Sequence, residues 1–330
     1  MSFDFTRRRF LGTGAAMAAF PGAGMQVSAQ GAWPNRPIKA IVGYPAGGQT
    51  DLFARTYGDY LAKQLRQPVL VENKAGAGGT IAAVEVKRAP PDGYTLMFTI
   101  STTMIANRAL MKNIAYDADK DFILISIMPA GSIPLVVGEK TGARTLNEFI
   151  EFARKAPKVS VGTYAAGSWA HIAIAELNRQ YGLKMEPVHY RGEAPMWTDL
   201  ASKSIDAGIG SYFAALPLLQ SGRAQVVAVH RKRSSVIPDV PTYMEQGAVS
   251  KAFMLTGFQC CVAPAGTPPE IISRLSQLLV EAGKGEQVRE MNKVYGLDEA
   301  ALSFEESQKI YKEETPIWLE LIGNLGLQPV

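Results

Sequence analysis

The stretch Ile41-Val42-Gly43-Tyr44-Pro45-Ala46-Gly47-Gly48-Gln49-Thr50-Asp51 decides the fold, because it joins a short apolar strand to a helix through a glycine-rich turn. Apolar, partly β-branched residues before Pro45 are typical of an inner strand of a parallel sheet. Gly47 and Gly48 permit positive φ and a close approach of another molecule to the backbone. The helix predicted over residues 52–65 begins with free amides and a partial positive charge, so this turn can bind an anion. An ordinary strand-to-helix turn is the alternative.

The same arrangement occurs twice more along the chain. Val69–Asn73 reads as a strand that precedes Lys74-Ala75-Gly76-Ala77-Gly78-Gly79-Thr80, and residues 159–163 read as a strand that precedes Tyr164-Ala165-Ala166-Gly167-Ser168. Each loop leads into a predicted helix. Three glycine-containing loops of small residues at the carboxyl ends of parallel strands indicate a single binding crevice.

Alternating strands and helices predict an α/β fold in which each domain has a mostly parallel sheet flanked by helices. The loop after the third strand, near Ser101, is expected to open a helix that ends at about Met111. We expect one domain from residues 31–130 plus 252–330 and a second from 131–251. A chain that passes twice between two domains forms a two-stranded hinge.

Composition and charge narrow the function. The chain has 330 residues, of which 47% are apolar and 19% charged, and its formal net charge is +4. This balance suits a globular protein with a sizeable core. About half of the net charge lies in the first thirty residues, so the remainder offers no electrostatic case for nucleic-acid or membrane binding.

The first residues read as a targeting segment. Thr6-Arg7-Arg8-Arg9-Phe10-Leu11-Gly12 resembles a twin-arginine export signal, and a short apolar run follows it. Val27-Ser28-Ala29 fits a small-x-small cleavage site, so residues 1–29 are predicted to be a signal peptide that directs the protein to the periplasm. The alternative is a basic arm that stays attached, and the choice between the twin-arginine and the general export route stays open.

Two groups of residues bear on chemistry. Cys260 and Cys261 are adjacent in an apolar strand, and we expect buried free thiols rather than a disulfide. The histidines His171, His189 and His230 do not form a metal-binding pattern, and no P-loop, dinucleotide fingerprint or nucleophile elbow occurs. The sequence therefore predicts no catalytic residue, no metal and no cofactor.

Arg191 and His171 are the candidate polar contacts to a ligand. Arg191 follows a strand and can hold a carboxylate in a fork geometry, although it can equally pair with Glu193 or face solvent. His171 lies in the first turn of a helix beside Gly167 and Ser168, where it can reach the crevice or serve the local structure.

The chain resembles the extracytoplasmic solute receptors of tripartite tricarboxylate transporters, also called Bug proteins. The resemblance spans residues from about 35 to the end, in the order of the family. It is carried by Tyr44-Pro-Ala-Gly-Gly-Gln-Thr-Asp51, Val71-Glu-Asn-Lys-Ala-Gly-Ala-Gly-Gly79, Ala89-Pro-Pro-Asp-Gly-Tyr-Thr-Leu96, Tyr116-Asp-Ala-Asp-Lys-Asp-Phe122, Tyr190-Arg-Gly-Glu-Ala-Pro195, Pro238-Asp-Val-Pro-Thr242, Glu245-Gln-Gly247 and Val262-Ala-Pro-Ala-Gly-Thr-Pro268.

The resemblance implies a two-domain periplasmic-binding-protein fold of type II that closes on a small organic carboxylate and delivers it to membrane subunits of the transporter. We expect a monomer with no nucleic-acid partner. A ligand-binding partner of a signalling system, or an α/β enzyme acting on an anion, are the alternatives. The residues that the resemblance implies in ligand binding are Ala46, Gly47, Gly48, Thr50, Asp51, Ala77, Gly78, Gly79, Ser101, Thr102, Thr163, Ala166, Gly167 and Ser168, with His171 behind them. Arg191 is added to this set because of its position after a strand.

Overall fold

The computed structural model describes residues 33–131, 133–190 and 192–329. Residues from Pro34 onward form one compact unit, and all the elements named below belong to it. The predicted signal peptide lies outside the described residues, as does Arg191. Within the described ranges, no helix combines the length and the apolarity needed to cross a bilayer.

Ten strands are described. They are β1 (Ile38–Val42), β2 (Val69–Asn73), β3 (Thr95–Ile100), β4 (Phe122–Pro129), β5 (Pro134–Gly138), β6 (Ser160–Thr163), β7 (Glu186–His189), β8 (Ala207–Ile209), β9 (Ala224–Val229) and β10 (Phe258–Pro264).

Eleven α-helices are described. They are α1 (Gln49–Leu65), α2 (Thr80–Lys87), α3 (Asn107–Leu110), α4 (Ala118–Asp121), α5 (Leu146–Lys155), α6 (Trp169–Tyr181), α7 (Glu193–Ala201), α8 (Tyr212–Gln220), α9 (Pro269–Lys284), α10 (Glu286–Tyr295) and α11 (Phe304–Gly323).

The strands form two five-stranded sheets with the same connectivity. The first sheet has the order β2-β1-β3-β10-β4 and the second the order β7-β6-β8-β5-β9. In each sheet the strands of the βαβ series are parallel, whereas one strand, β10 or β5, is antiparallel to both its neighbours. The predicted α/β fold with mostly parallel sheets flanked by helices is therefore confirmed, and each sheet is mixed.

The antiparallel strands are those through which the chain enters a sheet after leaving the other one. The chain leaves the first sheet after β4 and enters the second at β5, and it returns at β10. The two crossing segments lie side by side, since the Ala130 amide donates to the Gly257 carbonyl at 2.7 Å. In both sheets, the strand that enters from the other sheet is antiparallel to its neighbours. The periodicity of the sequence does not encode that direction.

Helix starts are set by local side chains. At α11, Ser303 Oγ accepts from the Glu306 amide at 3.2 Å while the Glu306 carboxylate accepts from the Ser303 amide at 3.0 Å. This reciprocal capping satisfies two amides that precede the helical hydrogen bonds. The element after β3 differs from the α-helix predicted there, because Thr102–Ala106 is a π-helical turn and only Asn107–Leu110 is α-helical.

Aromatic side chains fill the interior close to the crossing segments. Trp169, at the start of α6, donates from Nε1 to the Ala252 carbonyl at 2.8 Å and packs on the His230 ring with centroids 4.1 Å apart. Burying an aromatic or large aliphatic side chain contributes about 1.5–3 kcal/mol. Cys260 and Cys261 are buried and free, as predicted, and burial raises the pKa of both thiols.

Candidate functional site

The predicted loops lie at the carboxyl edges of the two sheets. Val42 is the register partner of Asn73, so β1 and β2 end side by side, and β3 ends beside β1. In the second sheet Thr163 is the partner of both His189 and Ile209. The structure therefore brings the loops after β1, β2 and β3 together at one edge and those after β6, β7 and β8 at the other.

Two contacts link segments at these edges. Leu110, at the end of α3, packs onto Gly167 in the loop after β6, where a Cβ atom would lie 2.5 Å from Leu110 Cδ1. Phe213 in α8 stacks on Tyr295 in α10, with ring centroids 4.4 Å apart. Gly167 has φ +69°, so absence of a side chain serves both the backbone conformation and the close approach.

The start of α1 is an open set of hydrogen-bond donors. The Leu52 amide makes the first helical hydrogen bond, to the Gly48 carbonyl at 3.0 Å, so the amides of Gln49, Thr50 and Asp51 precede it. Gly48 occupies the N-cap with φ −80° and ψ 170° and has no side chain to accept from them. A helix of 17 residues with an uncapped start offers an anion both donors and a partial positive charge.

The Asp51 carboxylate is hydrogen-bonded within this part of the structure. It accepts from the Gly47 amide at 2.9 Å, from Arg55 Nε at 3.0 Å and from Asn73 Nδ2 at 2.9 Å. Burial opposes ionisation, but the hydrogen bonds from Arg55, Gly47 and Asn73 outweigh it and lower the pKa of Asp51. The Gly47 amide is thus engaged internally, and Asp51 positions the turn that exposes the α1 amides.

A chain of side-chain hydrogen bonds orients one further donor, Gln49 Nε2, beside the α1 start. Thr50 Oγ1 donates to Gln259 Oε1 at 2.8 Å, and Gln259 Nε2 donates to Gln49 Oε1 at 3.3 Å. The orientation of both amides is assigned from this chain of hydrogen bonds. Gln49 Nε2 is buried and has no partner among the described residues. A buried unsatisfied donor costs about 1–3 kcal/mol, so this position suits a ligand acceptor.

The loop after β2 is fixed through the Gly78 carbonyl. That oxygen accepts from Thr103 Oγ1 at 2.9 Å, from Asn107 Nδ2 at 3.0 Å and from the Tyr44 hydroxyl at 3.3 Å. At Gly79, with φ +87°, a Cβ would lie 2.2 Å from Thr103 Oγ1. The loop holds its shape by turning one carbonyl inward, which leaves Ala77 and Gly78 exposed at the edge.

The loop after β3 contributes two half-buried residues, Ser101 and Thr102, at the beginning of the π-helical turn. Thr103, the next residue, is buried and turned toward the loop after β2. π-Helical turns are rare and occur often at functional sites, because the extra residue in the turn redirects side chains. The hydroxyls of Ser101 and Thr102 therefore lie near the edge, whereas the Thr103 hydroxyl holds the loop after β2.

On the second sheet, the groups predicted to bind a ligand largely bind one another. Ser168 caps α6 by accepting from the His171 amide at 3.4 Å and donates from its hydroxyl to the Ala165 carbonyl at 2.7 Å. His171 Nδ1 accepts from the Gly167 amide at 3.2 Å. Thr163 Oγ1 lies 2.8 Å from His189 Nδ1. This edge is thus internally satisfied to a greater extent than the start of α1.

The two histidines of this edge are neutral near pH 7. Their rings lie 4.4 Å apart, and His171 is only 6% exposed. Burial, with a smaller contribution from His189, lowers the pKa of His171 to about 4, and burial lowers the pKa of His189 as well. A neutral His171 can accept from Gly167, whereas the protonated ring cannot.

Acid should therefore destabilise the protein partly through His171. The unfolded chain takes up a proton near pH 6.5 and the folded protein only near pH 4, so unfolding is favoured as the pH falls between these values. At pH 5 the titration of His171 lowers the free energy of unfolding by about 2 kcal/mol relative to pH 7.5. Urea unfolding of the wild type and of His171→Asn at both pH values measures it. A pH dependence that is equal in the two proteins would contradict this assignment.

The structure thus divides the predicted site. The first edge holds Ala46, Gly47, Gly48, Thr50, Asp51, Ala77, Gly78, Gly79, Ser101 and Thr102, and the second holds Thr163, Ala166, Gly167, Ser168 and His171. Sequence reasoning missed Gln49, Gln259, Asn73 and Asn107. Gln259 is a polar residue within the buried strand β10, and that contrast was the available signal.

Two surface grooves lie away from both edges. One, of ≈ 710 Å³, runs between β4 and α11 and includes Met104, Phe122 and Tyr311. The other, of ≈ 630 Å³, runs along α9. Neither includes any of the predicted ligand-binding residues.

Comparison with known proteins decides the family. The sequence model for "Tripartite tricarboxylate transporter family receptor" matches residues 53–327. The chain belongs to this family. Protein BugT of Bordetella pertussis is 30% identical over 297 residues, which cover 89% of this chain and 90% of that protein. The family is one of receptors and not of enzymes.

Solved structures of similar proteins share the fold. An R. palustris protein solved with adipate has a TM-score of 0.80 and 26% identity, and the match covers 90% of this chain and 100% of that one. MatC from Rhodopseudomonas palustris, solved with bound malate, has a TM-score of 0.73 and 29% identity, with coverage of 88% and 100%. These likenesses confirm the resemblance and the fold class.

Proposed function

We propose that this receptor binds a small organic carboxylate at the start of α1. The observation that carries the proposal is the uncapped helix start at Gly48 with the unpartnered, buried Gln49 Nε2 beside it. A carboxylate accepts from several donors at once, and a helix N-terminus with amides directed outward provides them. The similar proteins with adipate and malate support this ligand class.

The charges near α1 also suit an anion. Asp51 is the acidic residue of the first turn, and Arg55 pairs with it at 3.0 Å. The charge of the Asp51 carboxylate is compensated by Arg55, and the carboxylate is turned toward Gly47 and Asn73. It therefore does not repel a ligand carboxylate at the amides.

Closure of two domains completes the site in this proposal. One domain comprises residues 31–130 plus 252–330 and the other 131–251, with the crossing segments as the hinge. The Leu110–Gly167 and Phe213–Tyr295 contacts are then the contacts of the closed form. Closure brings Ser168, His171 and Arg191 toward a ligand held at α1, and it excludes water from the carboxylate.

We infer the biological role from the family and from the first residues of the chain. The protein is exported to the periplasm, where residues 1–29 are removed, and as a monomer it delivers its ligand to the membrane subunits of a tripartite tricarboxylate-type transporter. The family of receptors supports delivery, and the twin-arginine-like segment supports export.

A thermal-shift screen with matched ligands tests the proposal. Small carboxylates and the corresponding amides are compared on the purified protein. A carboxylate at 100 times its dissociation constant should add about 2.7 kcal/mol to the free energy of unfolding. We expect stabilisation by at least one carboxylate and none by its amide. Equal stabilisation by both, or stabilisation only by uncharged compounds, would refute carboxylate binding.

A further inference from the structure

The second carboxyl edge already contains an anion of its own, at the start of another helix. Glu193, the first residue of α7, accepts from the Ser211 amide at 2.9 Å through Oε1 and from the Ser211 hydroxyl through Oε2. Ser211 is the N-cap of α8, a helix of nine residues. The Glu193 carboxylate therefore occupies the position at this helix start that an external carboxylate would take.

The neighbouring residues build this position for Glu193. Ser211 follows β8 and Glu193 follows β7, so both lie at the carboxyl edge of the second sheet. A Cβ atom at Gly210 would lie 3.2 Å from Glu193 Cδ and 2.8 Å from Trp197 Cζ2, so glycine makes room for both side chains. Glu193 is half-buried, and Met196 and Trp197 behind it are buried.

The charge of Glu193 also affects a residue of the loop that follows β6. Burial, with a smaller contribution from the negative charge of Glu193, raises the pKa of Tyr164, which follows Thr163 in that loop. Burial also raises the pKa of Glu193 itself, while the hydrogen bonds from Ser211 oppose that shift. The second edge therefore presents a neutral phenol, neutral imidazoles and one carboxyl group, where the first edge presents open amides.

We infer that the ligand is a monocarboxylate whose far end carries no second anion, and that Glu193 excludes dicarboxylates. The inference rests on the proposed function, in which the α1 amides hold one carboxylate. In this inference, the far end of a ligand that spans the two edges reaches the α8 start, where the amide and the hydroxyl of Ser211 already donate to Glu193. A second carboxylate there would lack those donors and face a like charge.

Calorimetric titration with matched pairs of ligands tests this inference. The pairs are succinate and succinamate, glutarate and glutaramate, and adipate and adipamate, so that length is constant and only the far carboxylate is replaced by an amide. We expect the wild type to bind the best monoamide at least about 10-fold more tightly than the dicarboxylate of the same length. Tighter binding of the dicarboxylate in every pair would overturn the inference and leave carboxylate binding intact.

Variants separate the role of Glu193 from a general effect of charge. Glu193→Gln should reduce the monoamide-to-dicarboxylate preference by about 10-fold, because the side chain keeps its shape and loses its charge. Glu186→Gln, at the opposite end of β7 and paired with the exposed Lys158, should leave the preference unchanged. An unchanged preference in Glu193→Gln would overturn the role of Glu193. Failure of all six ligands to bind, with no stabilisation by any carboxylate in the thermal-shift screen, would overturn carboxylate binding and this inference together. Where the screen finds another carboxylate, the same comparison is made with that ligand.

Discussion

Replacing Gln49 with proline is expected to weaken carboxylate binding by about 100-fold while the protein still folds. Proline is favourable at the first helical position because its fixed φ suits the helix. Gly48, the preceding residue, already has the extended conformation that proline requires of its neighbour, with φ −80° and ψ 170°. The substitution therefore removes the Gln49 amide, which is proposed to face the ligand, and the Gln49 side chain without breaking α1.

Gln49→Ala is the matched control for this substitution. It removes the side-chain donor and the contact with Gln259 but keeps the backbone amide. A hydrogen bond to a charged group contributes about 1.5–3 kcal/mol, so we expect a loss of about 10-fold from alanine and a further loss of about 10-fold from proline. Titration calorimetry measures both, with circular dichroism as the check on folding. Equal affinities of the two variants would show that the amide does not contact the ligand.

Replacing Gly79 with alanine should lower the free energy of unfolding by about 3 kcal/mol or more. Gly79 has φ +87°, and the new Cβ would lie 2.2 Å from Thr103 Oγ1. Relief of that overlap displaces Thr103, which donates to the Gly78 carbonyl and contacts the Tyr44 hydroxyl. Urea unfolding measures the loss, and the displaced loop should also weaken ligand binding.

Gly142→Ala provides the control for backbone strain at Gly79. Gly142 also has positive φ, +65°, but a Cβ there would meet no atom of the described residues within 4 Å. The left-handed conformation alone costs about 1–2 kcal/mol for alanine. We therefore expect a clearly smaller loss than at Gly79. Equal losses at the two positions would indicate that Thr103 yields freely and that the loop after β2 is not held as described.

The fold was accessible from the sequence because its signals are local. Strands that end at Val42, Asn73 and Thr163 and lead through glycine-rich loops into helices define parallel units. The direction of β5 and β10 was not accessible, since an apolar run reads the same in either direction. The π-helical turn at Thr102–Ala106 also has no periodic signal, because its side chains continue the apolar pattern of an α-helix.

The site was accessible only in part because its details depend on pairs distant in sequence. Loop chemistry predicts a ligand at the α1 start and assigns Asp51 to it. The sequence does not reveal that Asp51 accepts hydrogen bonds from Arg55 and from Asn73, 22 residues away. Gln49 and Gln259 are 210 residues apart, and only the sheet order brings them together. No local pattern can assign a hydrogen-bond partner at that separation.

The most direct test of carboxylate binding at α1 is a crystal structure of the protein with its ligand. We expect one ligand carboxylate at about 2.9 Å from the amide nitrogens of Gln49 and Thr50 and from Gln49 Nε2. A ligand whose carboxylate binds elsewhere, with those three donors left to solvent, would contradict the assignment of the site to the start of α1.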